Sequence, residues 1–102
     1  MGKYVFVYRG GSRPTSEDEG AKVMEAWMGW FGTLGAAVVD GGNRFGASTA
    51  VASDGSVIAA SAGLGGYSVV SADNLSAAAA MAKGCPILAA GGSVEVYETV
   101  EM

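Results

Sequence analysis

Between Lys3 and Arg9 the chain alternates. Tyr4, Phe6 and Tyr8 share one side of an extended segment, and Val5 and Val7 take the other. Both sides are apolar, which predicts a strand covered on both faces. Gly10 to Pro14 reads as a loop, and Ser16-Glu17-Asp18-Glu19 as a helix start. Ser16 is the expected cap, Glu19 occupies the capping-box position, and three acids suit the positive end of the helix dipole. Val23, Trp27, Trp30, Phe31 and Leu34 recur at helical spacing and give the helix one strongly apolar side. Gly35 is placed to end it. Gly20, Gly29 and Gly32 weaken such a helix by about 1 kcal/mol each relative to Ala. Packing is therefore expected to hold it, with the glycines permitting close backbone approach.

Further along, Ala36 to Asp40 predicts a short strand and Asp40-Gly41-Gly42-Asn43 a turn. Phe45 to Ala52 and Val57 to Ala60 flank Asp54-Gly55, a tight hairpin signal. Gly63 to Gly66 interrupts the pattern before a strand at Tyr67 to Ser71. Asp73 or Asn74 is expected to cap a second helix, Leu75 to Lys83, with Leu75, Ala78, Ala79 and Ala82 as its apolar face. Gly84-Cys85-Pro86 stops that helix. The last strand, Ser93 to Val100, puts Val94, Val96 and Val100 on one side and Glu95, Tyr97 and Thr99 on the other. The order β-α-β(β)-β-α-β is the ferredoxin-like split βαβ plan, an α+β fold with an antiparallel sheet and two helices on one face. Two helices leave the second sheet face open. A homodimer through that face is the economical cover.

Composition narrows the function classes. The 102 residues form one expected domain, 1–102. A net charge of −4 argues against phosphate-dominated nucleic-acid binding. Hydrophobic residues make up 50% of the chain, yet no apolar run approaches the roughly 18 to 20 residues of a membrane helix. Met1-Gly2-Lys3-Tyr4 runs straight into strand-like sequence, so no signal peptide is expected. A lone Cys forms no internal disulfide and points to the cytoplasm. The absence of His removes the usual base near neutral pH. Neither Cys/His pairs nor tidy carboxylate spacing supports a metal, and no cofactor is expected.

The residues that could carry chemistry have simpler structural roles as well. Trp27 and Trp30 suit helix–sheet core packing, but beside Gly29 and Gly32 they could line a cleft for an apolar ring. Arg9 and Arg13 flank a Gly-Gly loop and could hold an anion, or stand as ordinary surface charge. Asp73 could meet a polar substrate or cap a helix. Asp40 and Asn43 read as turn residues. Cys85 follows a helix C-terminus, whose negative end disfavours a thiolate, and is expected to be buried. Gly63-Leu64-Gly65-Gly66 lacks the Lys-Ser/Thr of a phosphate loop and precedes a strand.

Several segments carry a resemblance. Lys3 to Tyr8, Ala26-Trp27-Met28-Gly29-Trp30-Phe31-Gly32-Thr33-Leu34-Gly35, Asp40-Gly41-Gly42, Gly65 to Leu75, Gly84-Cys85-Pro86 and Gly92-Ser93-Val94-Glu95-Val96 resemble, in order, segments of the YCII-related or DGPF-domain family. The resemblance implies a dimeric α+β barrel in which two ferredoxin-like sheets pack face to face. A His–Asp pair assigned in some relatives does not carry over to a chain without His, and the Asp-Gly-Pro-Phe segment is missing. The expected function is a small homodimeric binding or accessory protein without catalysis. The alternative is a cofactor-free enzyme, monooxygenase- or lyase-like, acting on a small aromatic or ring-shaped substrate, an expectation resting on fold analogy. In either case the ligand residues would be Tyr8, Arg9, Trp27, Trp30 and Asp73, between the first helix and the sheet.

Overall fold

The computed structural model describes residues 2–12 and 14–102. Strand β1 (Gly2–Arg9) leads to helix α1 (Glu17–Leu34), and a 3-10 turn (Gly35–Ala37) to β2 (Val38–Asp40). Two short strands follow, β3 (Ala50–Val51) and β4 (Val57–Ile58), then β5 (Leu64–Ala72), α2 (Leu75–Ala82), a 3-10 turn (Pro86–Leu88) and β6 (Ser93–Glu98). The main sheet runs β2-β5-β1-β6 and is antiparallel throughout; β3 and β4 pair separately. This α+β arrangement is consistent with the ferredoxin-like plan. No helix among the described residues is long and apolar enough to cross a membrane.

Pairing of β1 with both β5 and β6 sorts the side chains. Tyr4, Phe6 and Tyr8 stand level with Val70, Ser68 and Gly66 of β5, and Phe6 and Tyr8 with Val96 and Val94 of β6. This row is the core face, onto which Trp30 of α1 and Ala78 and Ala82 of α2 pack. The other face carries Val5, Val7, Tyr67, Val69 and Tyr97, with neither helix among its partners. The molecule is only 19 Å thick against 44 and 38 Å in its other dimensions. Its radius of gyration, 15.0 Å, exceeds the about 13 Å of a compact chain this long.

Both helix starts are capped by side chains. Ser16 Oγ accepts the Glu19 N–H at 3.1 Å, while the Glu19 carboxylate accepts the N–H and hydroxyl of Thr15, each at 2.8 Å. The reciprocal bond therefore falls one residue earlier than a capping box places it. Those two donors hold the Glu19 carboxyl below its ordinary range. Gly35, at φ 56°, ends α1. At α2 the cap is Asn74, whose Oδ1 accepts the Ala77 N–H at 2.8 Å.

Several expectations need correction. The α1 glycines make no close approach: a Cβ at Gly29 or Gly32 would meet nothing within 4 Å. Val23 is exposed rather than part of the apolar contact, and so is Leu75; Ala77 and Met81 flank the buried Ala78 and Ala82 instead. Of Phe45 to Ala52 only Ala50–Val51 is strand, because Arg44 makes an isolated bridge to Gly66 and the chain then leaves the sheet. Gly65 and Gly66 lie inside β5. A Cβ on Gly66 would stand 2.8 Å from the Asn43 carbonyl oxygen, so the glycine lets the crossing loop lie against the strand.

Gly42 is tighter still. It has φ +75°, and a Cβ there would fall 1.7 Å from the Tyr67 carbonyl oxygen. Gly42→Ala should therefore destabilise the protein by more than about 1 kcal/mol. Gly29→Ala, in an open helix interior, should stabilise it by about 0.5–1 kcal/mol. Urea denaturation midpoints of the two variants should move in opposite directions from wild type.

Candidate functional site

The alternation of β1 and the i, i+3, i+4 spacing of α1 bring Tyr8, Trp27 and Trp30 together. The Tyr8 ring meets Trp27 edge-on, with centroids 4.9 Å apart, and Trp27 meets Trp30 edge-on at 5.7 Å. Trp30 also lies nearly parallel to Phe6 at 6.0 Å, and Phe31 closes on it at 5.1 Å. Such offset and edge-to-face pairs strengthen packing beyond simple burial. Trp30 Nε1 donates to the Met81 carbonyl at 3.1 Å, tying α1 to the last turn of α2. The space between helix and sheet is thus filled by aromatic rings.

The Tyr8 hydroxyl is engaged too. It donates to Ser68 Oγ at 2.7 Å, and Ser68 donates onward to the Gly41 carbonyl at 2.7 Å. Burial, partly offset by the Ser68 bond, pushes the Tyr8 hydroxyl up to about 12. Ser68 is fully buried and is a site residue the sequence analysis missed. Its signal was available: it is the one polar side chain in the row Gly66, Ser68, Val70, Ala72. Cys85 is buried as expected, and burial pushes its thiol up to about 11, away from a thiolate nucleophile.

Arg9 does not join this group. It is adjacent to Tyr8 in an extended strand, so it faces the opposite side of the sheet. There its Nη1 donates to Glu95 Oε2 at 2.9 Å, and the Tyr97 hydroxyl donates to the other Glu95 oxygen. Tyr97 first and Arg9 second hold the Glu95 carboxyl below its ordinary range, and Glu95 in turn raises the Tyr97 hydroxyl. The shared side of Glu95 and Tyr97 was legible from alternation; the bond of Glu95 to Arg9 was not. Arg13 lies outside the described residues. Asp40 and Asn43 are turn residues: Asp40 Oδ1 accepts the Gly42 N–H at 2.8 Å, and the Asn43 carbonyl accepts the Tyr67 N–H at 3.2 Å.

Asp73 stands elsewhere again. It follows Ala72, which pairs with Gly2, whereas Tyr8 pairs with Gly66. Six residues of strand separate those two levels, about 20 Å at 3.3 Å per residue. Asn74 provides the cap, and Asp73 instead lines a hollow of about 280 Å³ with Ala36, Ala37, Ser71, Ala77 and Met81. The small alanines make the hollow; the carboxylate is its one charged wall. The five expected ligand residues therefore divide three ways: Tyr8, Trp27 and Trp30 in the core, Arg9 on the open face, and Asp73 at the far end. The expected placement of all five between α1 and the sheet is corrected accordingly. No group of three His, Cys, Asp or Glu side chains among the described residues could hold a metal.

The family model of the YCII-related domain matches residues 5–102. The chain belongs to the YCII-related family. No curated protein and no solved structure matches it. This YCII-related chain contains no His, so its Asp residues lack the imidazole partner of a His–Asp pair.

The buried hydroxyl and thiol make stability sensitive to alkali. Both groups ionise less readily folded than unfolded, so native protein retains protons that the unfolded chain releases. Their contribution is intact below pH 9, the ordinary thiol value, and is lost as pH rises through about 11 for Cys85 and about 12 for Tyr8. Denaturation free energy should fall from pH 9 to 12, and Cys85→Ala should flatten the first part of that fall.

Proposed function

We propose that this YCII-related chain is a small homodimeric binding protein without catalysis of its own, paired through the open sheet face as a dimeric α+β barrel. The observation that carries the reading is the uncovered row Val5, Val7, Tyr67, Val69 and Tyr97, on the face opposite both helices. Four of these side chains are half-buried and Tyr97 is exposed, so the row still leaves apolar area in water, at a cost of roughly 25 cal/mol per Å². A second copy offers an identical row, and a two-fold axis satisfies both at once. The reduced, buried Cys85 fits a cytoplasmic protein.

The non-catalytic part of the reading is supported by what the reactive groups are doing. Tyr8 and Ser68 spend their hydroxyls on a closed chain of hydrogen bonds, and Trp30 spends its N–H on Met81. The binding site we favour is the hollow beside Asp73. Its alanine lining and single carboxylate suit a small apolar ligand bearing an amine.

Sedimentation equilibrium at micromolar concentration should give twice the 10.1 kDa chain mass. Val7→Glu, which places a charge on the open face, should give a folded monomer with an unaltered circular dichroism spectrum. A monomeric wild type would refute the dimer. For the ligand, amide resonances of Ser71, Asp73 and Ala77 should shift on titration with small aliphatic or aromatic amines, and Asp73→Asn should abolish the response. Shifts confined to the Trp27 and Trp30 indoles would move the site back to the aromatic cluster.

A further inference from the structure

Between β2 and β5 the chain makes an excursion that the main sheet does not need. Strands β3 and β4 pair only with each other, around a turn in which Gly55 has φ +89° and Asp54 Oδ1 accepts both the N–H and the hydroxyl of Ser56. An isolated two-stranded hairpin is marginal in water. This one also presents apolar β-branched side chains to solvent: Val51, Val57 and Ile58 are 66%, 74% and 49% exposed.

Area bears on what the hairpin is for. The chain exposes 6956 Å², whereas a compact monomer of this mass exposes about 5,300 Å². The excess, about 1,700 Å², lies in the range one subunit buries in an obligate homodimer. The open sheet face alone does not account for it, because Val5, Val7, Tyr67 and Val69 are already half-buried by their neighbours and only Tyr97 of that row is exposed. Val51 and Val57 of the hairpin are more exposed than any of these. Both of its feet stand at the Arg9 end of the open face. Phe45 at one foot stacks on Tyr67 of that face at 5.9 Å, and at the other the Gly63 carbonyl accepts the Gly10 N–H at 3.0 Å. From 47 to 62 the only charged residue is Asp54, so the hairpin matches an apolar surface and not a charged partner.

We infer that the β3–β4 hairpin is an intersubunit clasp, which lies against the second copy and buries there Val51 and Val57, paired on one face of the hairpin. The inference rests on the homodimer reading and adds to it the segment that secures the pair. Two-fold symmetry makes the clasp reciprocal, each subunit giving one arm and receiving one. Burial on a partner also explains how a hairpin of two-residue strands keeps an exposed pair of valines on one face.

The test is the dimer dissociation constant of wild type and of Val51→Ser/Val57→Ser, measured by sedimentation across a concentration series. The double variant should dimerise about a hundredfold more weakly or worse. Its circular dichroism should match wild type, because neither residue belongs to the core. Hydrogen exchange of residues 50–58 supplies a second readout: these amides should be protected in wild type and exposed in the monomeric Val7→Glu variant. A wild-type dimer whose affinity survives the double substitution, with unprotected hairpin amides, would overturn the clasp and leave the sheet-face dimer standing. Protection that persists in the Val7→Glu monomer would put the hairpin on its own sheet and also overturn it. A monomeric wild type would remove the homodimer reading and the clasp together.

Discussion

β1 occupies the inside of the sheet, hydrogen-bonded to β5 on one side and β6 on the other. Two ladders fix its register twice, so the facing of each side chain is fully determined. Tyr4, Phe6 and Tyr8 are committed to the helices, and Val5, Val7 and Arg9 to the opposite side. The rest of the architecture answers to that division. Trp30 fills the space above Phe6, α2 presents alanines so that it can sit close to the sheet, and Ser68 takes the hydroxyl that Tyr8 brings into the core. Among the described residues no comparable layer of helices lies over the other face.

The same constraint explains which parts of the fold were legible in the sequence. Long periodic segments such as α1 and β1 announce themselves, because a single period persists over many residues. The first cap was legible for a chemical reason, because Ser16 carries an oxygen where helix N–H groups lack partners; at the second, Asp73 and Asn74 offered the same chemistry, and the backbone gives the role to Asn74. The excursion between β2 and β5 was not. Its residues are strand-like by composition, and whether such a segment joins the main sheet depends on a loop crossing that glycines permit. Gly42 and Gly66 allow that crossing, but their role is visible only once the Tyr67 and Asn43 carbonyls are in place. The helix glycines show the converse: a composition that implied close approach turned out to face open space.

The candidate site was less legible than the fold, for a reason inherent in extended chains. Tyr8 and Arg9 are neighbours in sequence and look like partners, yet consecutive strand residues point to opposite faces. Asp73 lies just beyond a strand that pairs with β1, yet the antiparallel sheet carries that end about 20 Å from Tyr8. Ser68 and Glu95, which bond to Tyr8 and Arg9, lie 60 and 86 residues along the chain from those partners. Local pattern does not reach across such separations. The aromatic cluster shows how a ligand-like composition can serve packing: each ring already has another ring or a carbonyl as its partner.

The polar group on the open face bears on how two such faces would meet. A charge carried into an interface is costly unless it arrives with its hydrogen bonds made. Glu95 meets that condition within one chain, because Arg9 takes one carboxylate oxygen and Tyr97 the other. Arg9 and Glu95 remain about two-fifths and one-third exposed, so the pair keeps contact with water and its attraction is modest. Its value in the proposed dimer is therefore orientational. A flat row of valines and tyrosines accepts many registers, whereas a paired charge at the Arg9 end tolerates few. The same end carries the feet of the β3–β4 hairpin. Register and clasp would then be set at one end of the sheet, with the Asp73 hollow at the other.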